Sequence, residues 1–209
     1  MHRIGNDIVS LTDASAVKRS GNCRFLSLVF TPSERKMIQR AAEPDRMLWA
    51  FWAAKEAAFK IFRQSGEQAV FSPRAYEVEI DGRLRPGYAP FERGCVACRS
   101  GPVFVRIDAA AEYIHCVGTG DCAGLLDSAV WGVEKIAEGE GESAGARRIA
   151  AGPLSLRWGI PESGVEIRRE KARGSLLPPR VFIAGVETDT SISLSHDRPY
   201  AAYAFLDRS

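Results

Sequence analysis

The chain has 209 residues, with 45% hydrophobic and 26% charged residues, values that are typical of a globular protein. This composition excludes a collagen-like or largely disordered chain, and the length allows one ordinary domain or two small ones. A formal net charge of +2 does not predict nucleic-acid binding, which usually requires a strongly basic face. Because Asp7 precedes any long apolar stretch, we expect no signal peptide, no membrane span and a cytoplasmic location.

The first predicted elements are one strand and two helices. Residues Arg3 to Leu11 alternate and are rich in isoleucine and valine, which predicts a short strand with Asp7 near its centre. Thr31 followed by Pro32 and Glu34 is typical of a capped helix start, and this helix should continue to about Ala42. Residues 46–63 contain neither glycine nor proline, which predicts a helix of more than four turns.

The rest of the chain is dominated by short alternating runs, which predict antiparallel strands. The runs are Tyr76 to Ile80, Gly94 to Cys98, Val103 to Ile107, Tyr113 to Gly118, Val165 to Arg169, Val181 to Gly185, and a terminal hairpin of Ser191 to Ser195 with Tyr200 to Leu206. Glycine- and glutamate-rich residues 120–151 should be weakly ordered. We therefore expect an α+β fold in which an antiparallel sheet packs against a long buried helix.

Five cysteines bear on redox state and on metal binding: Cys23, Cys95, Cys98, Cys116 and Cys122. An odd number in a chain without a secretory signal predicts reduced thiols. The C-x-x-C spacing of Cys95 and Cys98 occurs in zinc knuckles and redox pairs, although a structural zinc site needs a second pair of ligands. Cys116, Cys122 and His115 are the residues that would have to supply it.

Glu56 and Lys60 lie one turn apart on the long predicted helix. The simplest interpretation is a surface salt bridge, which stabilises a helix by only about 0.2–0.5 kcal/mol. However, the helix is apolar on more than one side, and a buried charged pair is costly unless it has a use. Metal binding or phosphate binding is such a use.

Asp7 is a second carboxylate in apolar surroundings, although an aspartate at a strand edge would explain it equally well. Together Asp7, Glu56 and Lys60 suggest a Mg²⁺ site, because this ion commonly takes one or two carboxylates and completes its octahedron with water and substrate phosphate oxygens. Ser195 and His196 end a predicted strand. They are either a capped turn with an exposed imidazole or a pair of hydrogen-bond donors to phosphate.

Four segments in this order resemble the 4′-phosphopantetheinyl transferase superfamily: Ile4-Gly-Asn-Asp-Ile-Val9, Phe30-Thr-Pro-Ser-Glu34, Trp52 to Lys60, and Ile192-Ser-Leu-Ser-His196. An N-terminal aspartate motif, a central Lys-Glu-Ala helix and a C-terminal Ser-His strand is the order of holo-acyl-carrier-protein synthases. Surfactin-synthetase-activating-type enzymes place Ser-His before the aspartate.

The resemblance implies transfer of the phosphopantetheine arm of coenzyme A to a serine of an apo acyl or peptidyl carrier protein, with release of 3′,5′-ADP. It also implies that Asp7 and Glu56 hold Mg²⁺ and that Lys60 contacts the phosphates, with Lys55 adding to the positive field. Ser195 and His196 would contact the nucleotide end of coenzyme A. Either Glu56 or a metal-bound water would take the serine proton, and Lys60 could protonate the leaving group.

The sequence departs from the family pattern in three ways: at Asn6, at Val9 and in an inserted segment. Asn6 stands where the family often has an apolar residue, and Val9 stands where surfactin-type enzymes have a third metal carboxylate. We expect one domain over residues 1–209, with a strand-rich insertion at about 77–157 that the compact synthases lack. Sites of this family form where two similar halves or two subunits meet. Because the chain has only one set of the motifs, the resemblance favours a homo-oligomer. Alternatively, the strands between Phe71 and Gly118 are a degenerate second half of a monomer, with Tyr113 to His115 in the seam.

The expected carrier protein is acidic, and a basic cluster before the long helix could dock it: Lys18, Arg19, Arg24, Arg35 and Lys36. A solvated basic face explains the same residues equally well. Two other functions stay open, a non-catalytic module that binds carrier protein or coenzyme A and another Mg²⁺-dependent phosphotransferase or nucleotidase. An ATPase is not supported, because the chain has no G-x-x-x-x-G-K loop.

Overall fold

A computed structural model of the chain describes residues 2–65, 70–80, 92–120, 122–172 and 175–207. It contains five α-helices and thirteen β-strands within these ranges. Helices and antiparallel strands occur in similar proportions, which confirms the α+β class. No helix within the described ranges is long and apolar enough to cross a membrane.

The N-terminal layer is a five-stranded antiparallel sheet in the order β1-β5-β4-β3-β2. Its strands are β1 (Ile4–Ser10), β2 (Glu77–Ile80), β3 (Glu92–Ala97), β4 (Val103–Ala109) and β5 (Tyr113–Thr119). Three helices precede β2: α1 (Cys23–Val29), α2 (Pro32–Arg40) and α3 (Pro44–Arg63). The edge strand β1 therefore pairs with β5, which is the last strand of the layer.

Helix α3 lies across this sheet and packs on β1 and β5. Its alanines and aromatic residues bury a broad face, and Ala50, Phe51 and Ala54 are fully inaccessible. Gly5 permits the close approach, because a Cβ at that position would lie 2.1 Å from the carbonyl oxygen of Ala57. The capped start predicted for α2 is present as a reciprocal capping box between Thr31 and Glu34.

The C-terminal layer is built around the terminal hairpin. It contains α4 (Leu125–Ser128), β6 (Val130–Lys135), α5 (Glu142–Trp158), β12 (Ser191–Asp197) and β13 (Tyr200–Leu206), with strand order β12-β13-β6. The short strands β7 (Val165–Arg168), β10 (Arg180–Ile183) and β11 (Val186–Glu187) form a second small sheet, and β8 (Lys171–Ala172) pairs with β9 (Ser175–Leu176).

The weak order expected for residues 120–151 is wrong. This segment contains α4, β6 and the first part of α5, and β6 pairs with β13 over its whole length. Its glycine and glutamate content obscured a buried apolar face, in which Ala146, Ile149 and Ala150 pack on the terminal hairpin. Tertiary packing of that apolar face therefore overrides the weak local signal.

The expected insertion at about 77–157 contributes to both layers. Strands β2 to β5 lie in the sheet with β1, whereas β6 and α5 pack with the terminal hairpin. All five cysteines are free thiols, and the described residues contain no cluster of three or more His, Cys, Asp or Glu side chains suited to a metal ion.

Candidate active site

An open pocket lies where β1 of the N-terminal layer meets the end of β12 in the C-terminal layer. Its volume is about 480 Å³. Asp7 from β1 and Glu56 and Lys60 from α3 line one side, while His196 and Asp197 from β12 line the other. Four of the predicted site residues thus share one pocket, although Asp7 and His196 are almost a full chain apart in sequence.

Lys60 connects α3 to β1 at the floor of the pocket. Its Nζ lies 2.9 Å from Oδ1 of Asp7 and donates a second hydrogen bond, of 2.7 Å, to the backbone oxygen of Asn6. The Lys60 side chain is 28% exposed and that of Asp7 is 14% exposed. The ammonium is therefore held in place but still reaches the solvent-filled pocket.

Glu56 lies one helical turn before Lys60 and is partly buried. Its pKa is raised to about 7, first by burial and then by the nearby carboxylate of Asp7, while Lys60 partly opposes both effects. Burial also raises the pKa of Asp7 above its ordinary value, against the attraction of Lys60. The carboxylate of Asp7 thus destabilises the charged form of Glu56, and the carboxylate of Asp197 destabilises that of Asp7.

The repulsion that Asp7 exerts on Glu56 fits a site for a divalent cation such as Mg²⁺. A divalent cation between Asp7 and Glu56 would relieve the repulsion, and two carboxylates suffice for an ion that keeps water and phosphate oxygens as its other ligands. Asp7 and Glu56 come from a strand and a helix that pack directly on each other, so their backbones are fixed before any ion arrives.

Lys55 does not lie in this pocket, and the expectation that it contacts the cofactor is corrected. Its side chain is fully buried, and its Nζ lies 2.8 Å from a carboxylate oxygen of Glu34. The same ammonium donates to the backbone oxygens of Pro73 and Tyr76. Neighbouring helix positions point about 100° apart, so Lys55 ties α3 to α2 and the start of β2 while Glu56 faces the pocket.

Ser195 and His196 also point in different directions, because successive strand residues face opposite sides. The Ser195 hydroxyl is buried and accepts a 2.9 Å hydrogen bond from Nδ2 of Asn6. The imidazole of His196 is 40% exposed, and its Nδ1 lies 3.4 Å from Oε2 of Glu142. Only His196 of this pair lines the pocket.

Sequence reasoning missed several residues of the pocket wall: Ser10, Asp13, Trp49, Trp52 and Asp197. Asp197 accepts a 2.8 Å hydrogen bond from the backbone N–H of Ser10 and so closes the wall between the layers. Trp49 donates from Nε1 to the backbone oxygen of Ala16 at 2.8 Å. The alternation of β12 could have singled out Asp197, which follows Ser193 and Ser195 at spacing two.

A single chain brings His196 to the pocket, so a second copy is not needed to supply this residue. Tyr113 and His115 lie on β5, and the His115 ring lies 5.4 Å from the ring of Trp131 on β6. His115 is thus at the seam between the layers, while the strands from 77 to 119 form the sheet of the N-terminal layer.

Residues 3–95 match the family model of the 4′-phosphopantetheinyl transferase superfamily. The matched range contains Asp7, Glu56 and Lys60, and it ends well before His196. Comparison with curated proteins finds no match for the chain. The family match confirms the resemblance in the sequence and supports phosphopantetheinyl transfer as the general activity. Over residues 3–95, which are less than half of the chain, this protein is similar to the 4′-phosphopantetheinyl transferase superfamily.

Proposed function

We propose that the protein transfers the 4′-phosphopantetheine arm of coenzyme A to a serine of an apo carrier protein, in the manner of a holo-acyl-carrier-protein synthase. The main support is the pocket that contains Asp7, Glu56, Lys60 and His196. The pocket contains two carboxylates, one of which raises the pKa of the other, together with a lysine and an imidazole. This set suits a pyrophosphate with a divalent cation better than an uncharged substrate.

In the proposed reaction the serine hydroxyl oxygen attacks the β-phosphorus of the coenzyme A pyrophosphate. A new phosphorus–oxygen bond forms, the bond from the β-phosphorus to the bridging oxygen breaks, and 3′,5′-ADP leaves. Negative charge spreads over the phosphate oxygens during this step. The Lys60 ammonium stabilises that charge, and it can donate a proton to the leaving oxygen.

Glu56 is the proposed general base. Burial and the neighbouring Asp7 raise the pKa of Glu56, which favours its role as a proton acceptor. Asp7 and Glu56 would hold Mg²⁺, and a carboxylate has two oxygens, so Glu56 can bind the ion through one and accept a proton through the other. The bound ion would supply charge neutralisation at the pyrophosphate oxygens.

His196 is the proposed contact for a phosphate at the nucleotide end of coenzyme A. Its imidazole can donate to a phosphate oxygen, and its position at a strand end limits its movement. Glu142 lies beside Nδ1 of His196, which leaves Nε2 for the ligand. Ser195 is proposed to act only indirectly, because its hydroxyl is buried against Asn6.

The carrier protein would dock on the basic surface, defined as Lys18, Arg19, Arg24, Arg35 and Lys36. Lys18 and Arg19 follow directly after the pocket wall at Ser15 and Ala16. Within the described ranges, none of the five side chains forms a salt bridge of its own. Cations without a salt-bridge partner would attract an acidic carrier and accelerate its approach.

The test is intact-mass spectrometry of apo acyl and peptidyl carrier proteins incubated with the protein, coenzyme A and Mg²⁺. A carrier should gain the mass of one phosphopantetheine, and the gain should require Mg²⁺. Glu56→Gln should abolish it, because the variant lacks both a metal ligand and the base. Glu43→Gln is the matched control, since it changes an exposed carboxylate just before the start of the same helix and should retain activity.

Two results would contradict the proposal. If no carrier gains mass while coenzyme A still binds, the protein is a binding module. If coenzyme A or another nucleotide is instead hydrolysed without a carrier, it is a different Mg²⁺-dependent phosphotransferase. Equal activity of the Glu56→Gln and Glu43→Gln variants would remove Glu56 from the mechanism.

A further inference from the structure

We propose that Asn6 and the alternating polar residues of β12 form a register lock between the two layers, which positions His196 opposite Asp7 and Glu56. The register lock is defined as Asn6, Ser191, Ser193, Ser195 and Asp197. Its importance for catalysis rests on the proposed function, whereas its structural role does not. These residues are positioning residues, because they act through the placement of others.

The lock consists first of side-chain acceptors for the free edge of β1. The backbone N–H of Ile4 donates to Ser191 Oγ at 3.3 Å, and that of Asn6 donates to Ser193 Oγ at 2.9 Å. The N–H of Ser10 donates to Oδ2 of Asp197 at 2.8 Å. All three bonds join residues 187 positions apart, so β1 and β12 run side by side in step.

The second part of the lock is the side chain of Asn6. Its Nδ2 lies 2.9 Å from Ser195 Oγ and 3.2 Å from Nε2 of His115, and all three residues are buried. Burial lowers the pKa of His115 to about 3, so its ring is neutral and can accept a hydrogen bond. The three residues form a polar cluster that belongs to both layers.

This polar cluster lowers the stability of the fold, and such a cost favours a role in selecting one register of the two layers. Buried amides destabilise a fold unless every polar atom is satisfied, and Oδ1 of Asn6 has no hydrogen-bond partner within the described ranges. An apolar residue would avoid that cost. Buried polar residues that persist in packed interfaces commonly fix register, as a buried asparagine does in coiled coils.

The lock excludes a slipped arrangement of the layers. The serines repeat every two residues, so they alone would also tolerate a slip of two positions. Such a slip would displace His196 by roughly 6.6 Å along β12, whereas a misplacement of about 1 Å can already lower a rate by roughly 10²-fold. Asn6 and Asp197 do not repeat, and they therefore select one register.

The test compares three variants by kinetics and a fourth by amide exchange. Asn6→Leu removes the amide but keeps the branched shape of the side chain, and it should lower kcat/KM for coenzyme A by roughly 10- to 100-fold. Ser195→Ala is a milder variant should Asn6→Leu fold poorly. Ser155→Ala is the matched control, because it removes a half-buried hydrogen bond to Ile160 far from the seam and should change kcat/KM by less than about twofold.

Amide exchange is the readout that does not depend on activity. In Ser193→Ala the N–H of Asn6 should exchange at least about tenfold faster, while amides within the β12–β13 hairpin stay protected. Unchanged exchange at Asn6, or equal kinetics of the Asn6→Leu, Ser195→Ala and Ser155→Ala variants, would overturn the lock. If the unmodified protein transfers nothing to any carrier, the proposed function fails, and the exchange result still decides on the lock.

Discussion

The two layers of the molecule have a similar arrangement but very different helices. In each layer the first strand pairs with the last, β1 with β5 and β6 with β13, and a helix packs on the sheet face. Helix α3 carries Lys55, Glu56 and Lys60 among alanine and aromatic residues. Helix α5 buries only small or apolar residues, and a proline lies inside it. The N-terminal layer thus carries most of the charged residues of the pocket, and the C-terminal layer forms the opposite wall of the pocket.

The charges of α3 separate further into two roles. Lys55 forms a buried ion pair with Glu34, whereas its neighbour Glu56 and the following Lys60 face the pocket. An unexplained charge in an apolar helix therefore does not by itself indicate a site. A charged side chain that points into the core and has a full set of partners has a structural role. A charged side chain that faces the pocket is available for catalysis or binding.

The largest expected effect is on stability, at Lys55. Lys55→Met leaves the buried carboxylate of Glu34 without its cation and should lower the free energy of unfolding by about 3–5 kcal/mol. Arg180→Gln breaks an exposed pair with Glu187 in the other layer and should cost less than about 1 kcal/mol. Urea unfolding of both variants measures the difference. Equal losses would mean that the Lys55 pair is not buried as described.

The next effect concerns activity and compares the two helices. Lys60→Met should lower kcat by roughly 10²- to 10³-fold, because a cation that stabilises transition-state charge is lost. Arg157→Gln, near the end of α5, should leave kcat within about twofold. Steady-state transfer rates with a responsive carrier measure both. Similar rates for the two variants would show that the charge on α3 has no special role.

The smallest effect is a pH dependence of metal binding at the pocket. The pKa of Glu56 is raised to about 7, so a proton competes with Mg²⁺ below that pH. Since Mg²⁺ binds the ionised form, its affinity should rise about tenfold between about pH 6 and about pH 8 and then level off. Calorimetric titration with Mg²⁺ in the presence of 3′,5′-ADP measures this rise. Glu56→Gln should flatten the profile, and a flat profile in the unmodified protein would contradict the assignment.

Much of the N-terminal layer could be predicted from sequence. The strand at Asp7, the capped start of α2 and the long helix α3 all have strong local signals, and the structure has them within a few residues of the predicted bounds. The pairing of β1 with β5 could not be predicted, because strand order depends on contacts that are distant in sequence.

The site was predictable in residue type but not in detail. Asp7, Glu56, Lys60 and His196 are conspicuous charged or polar residues, and the order of the motifs indicates that they belong together. Lys55 was misassigned because sequence spacing does not show that Glu34 lies beside its ammonium. Helix α5 was missed because its apolar stripe becomes visible only when the terminal hairpin packs on it.

The most direct test of the central claim, that both layers form one site, is a titration followed through the three histidine side chains, His2, His115 and His196. Addition of coenzyme A with Mg²⁺ should shift the imidazole signals of His196 and the amide signal of Asp7 together, while the buried ring of His115 stays nearly unchanged. A His196→Gln variant assigns the signal. If Asp7 responds to coenzyme A and His196 does not, the C-terminal layer is not part of the site and the account is wrong.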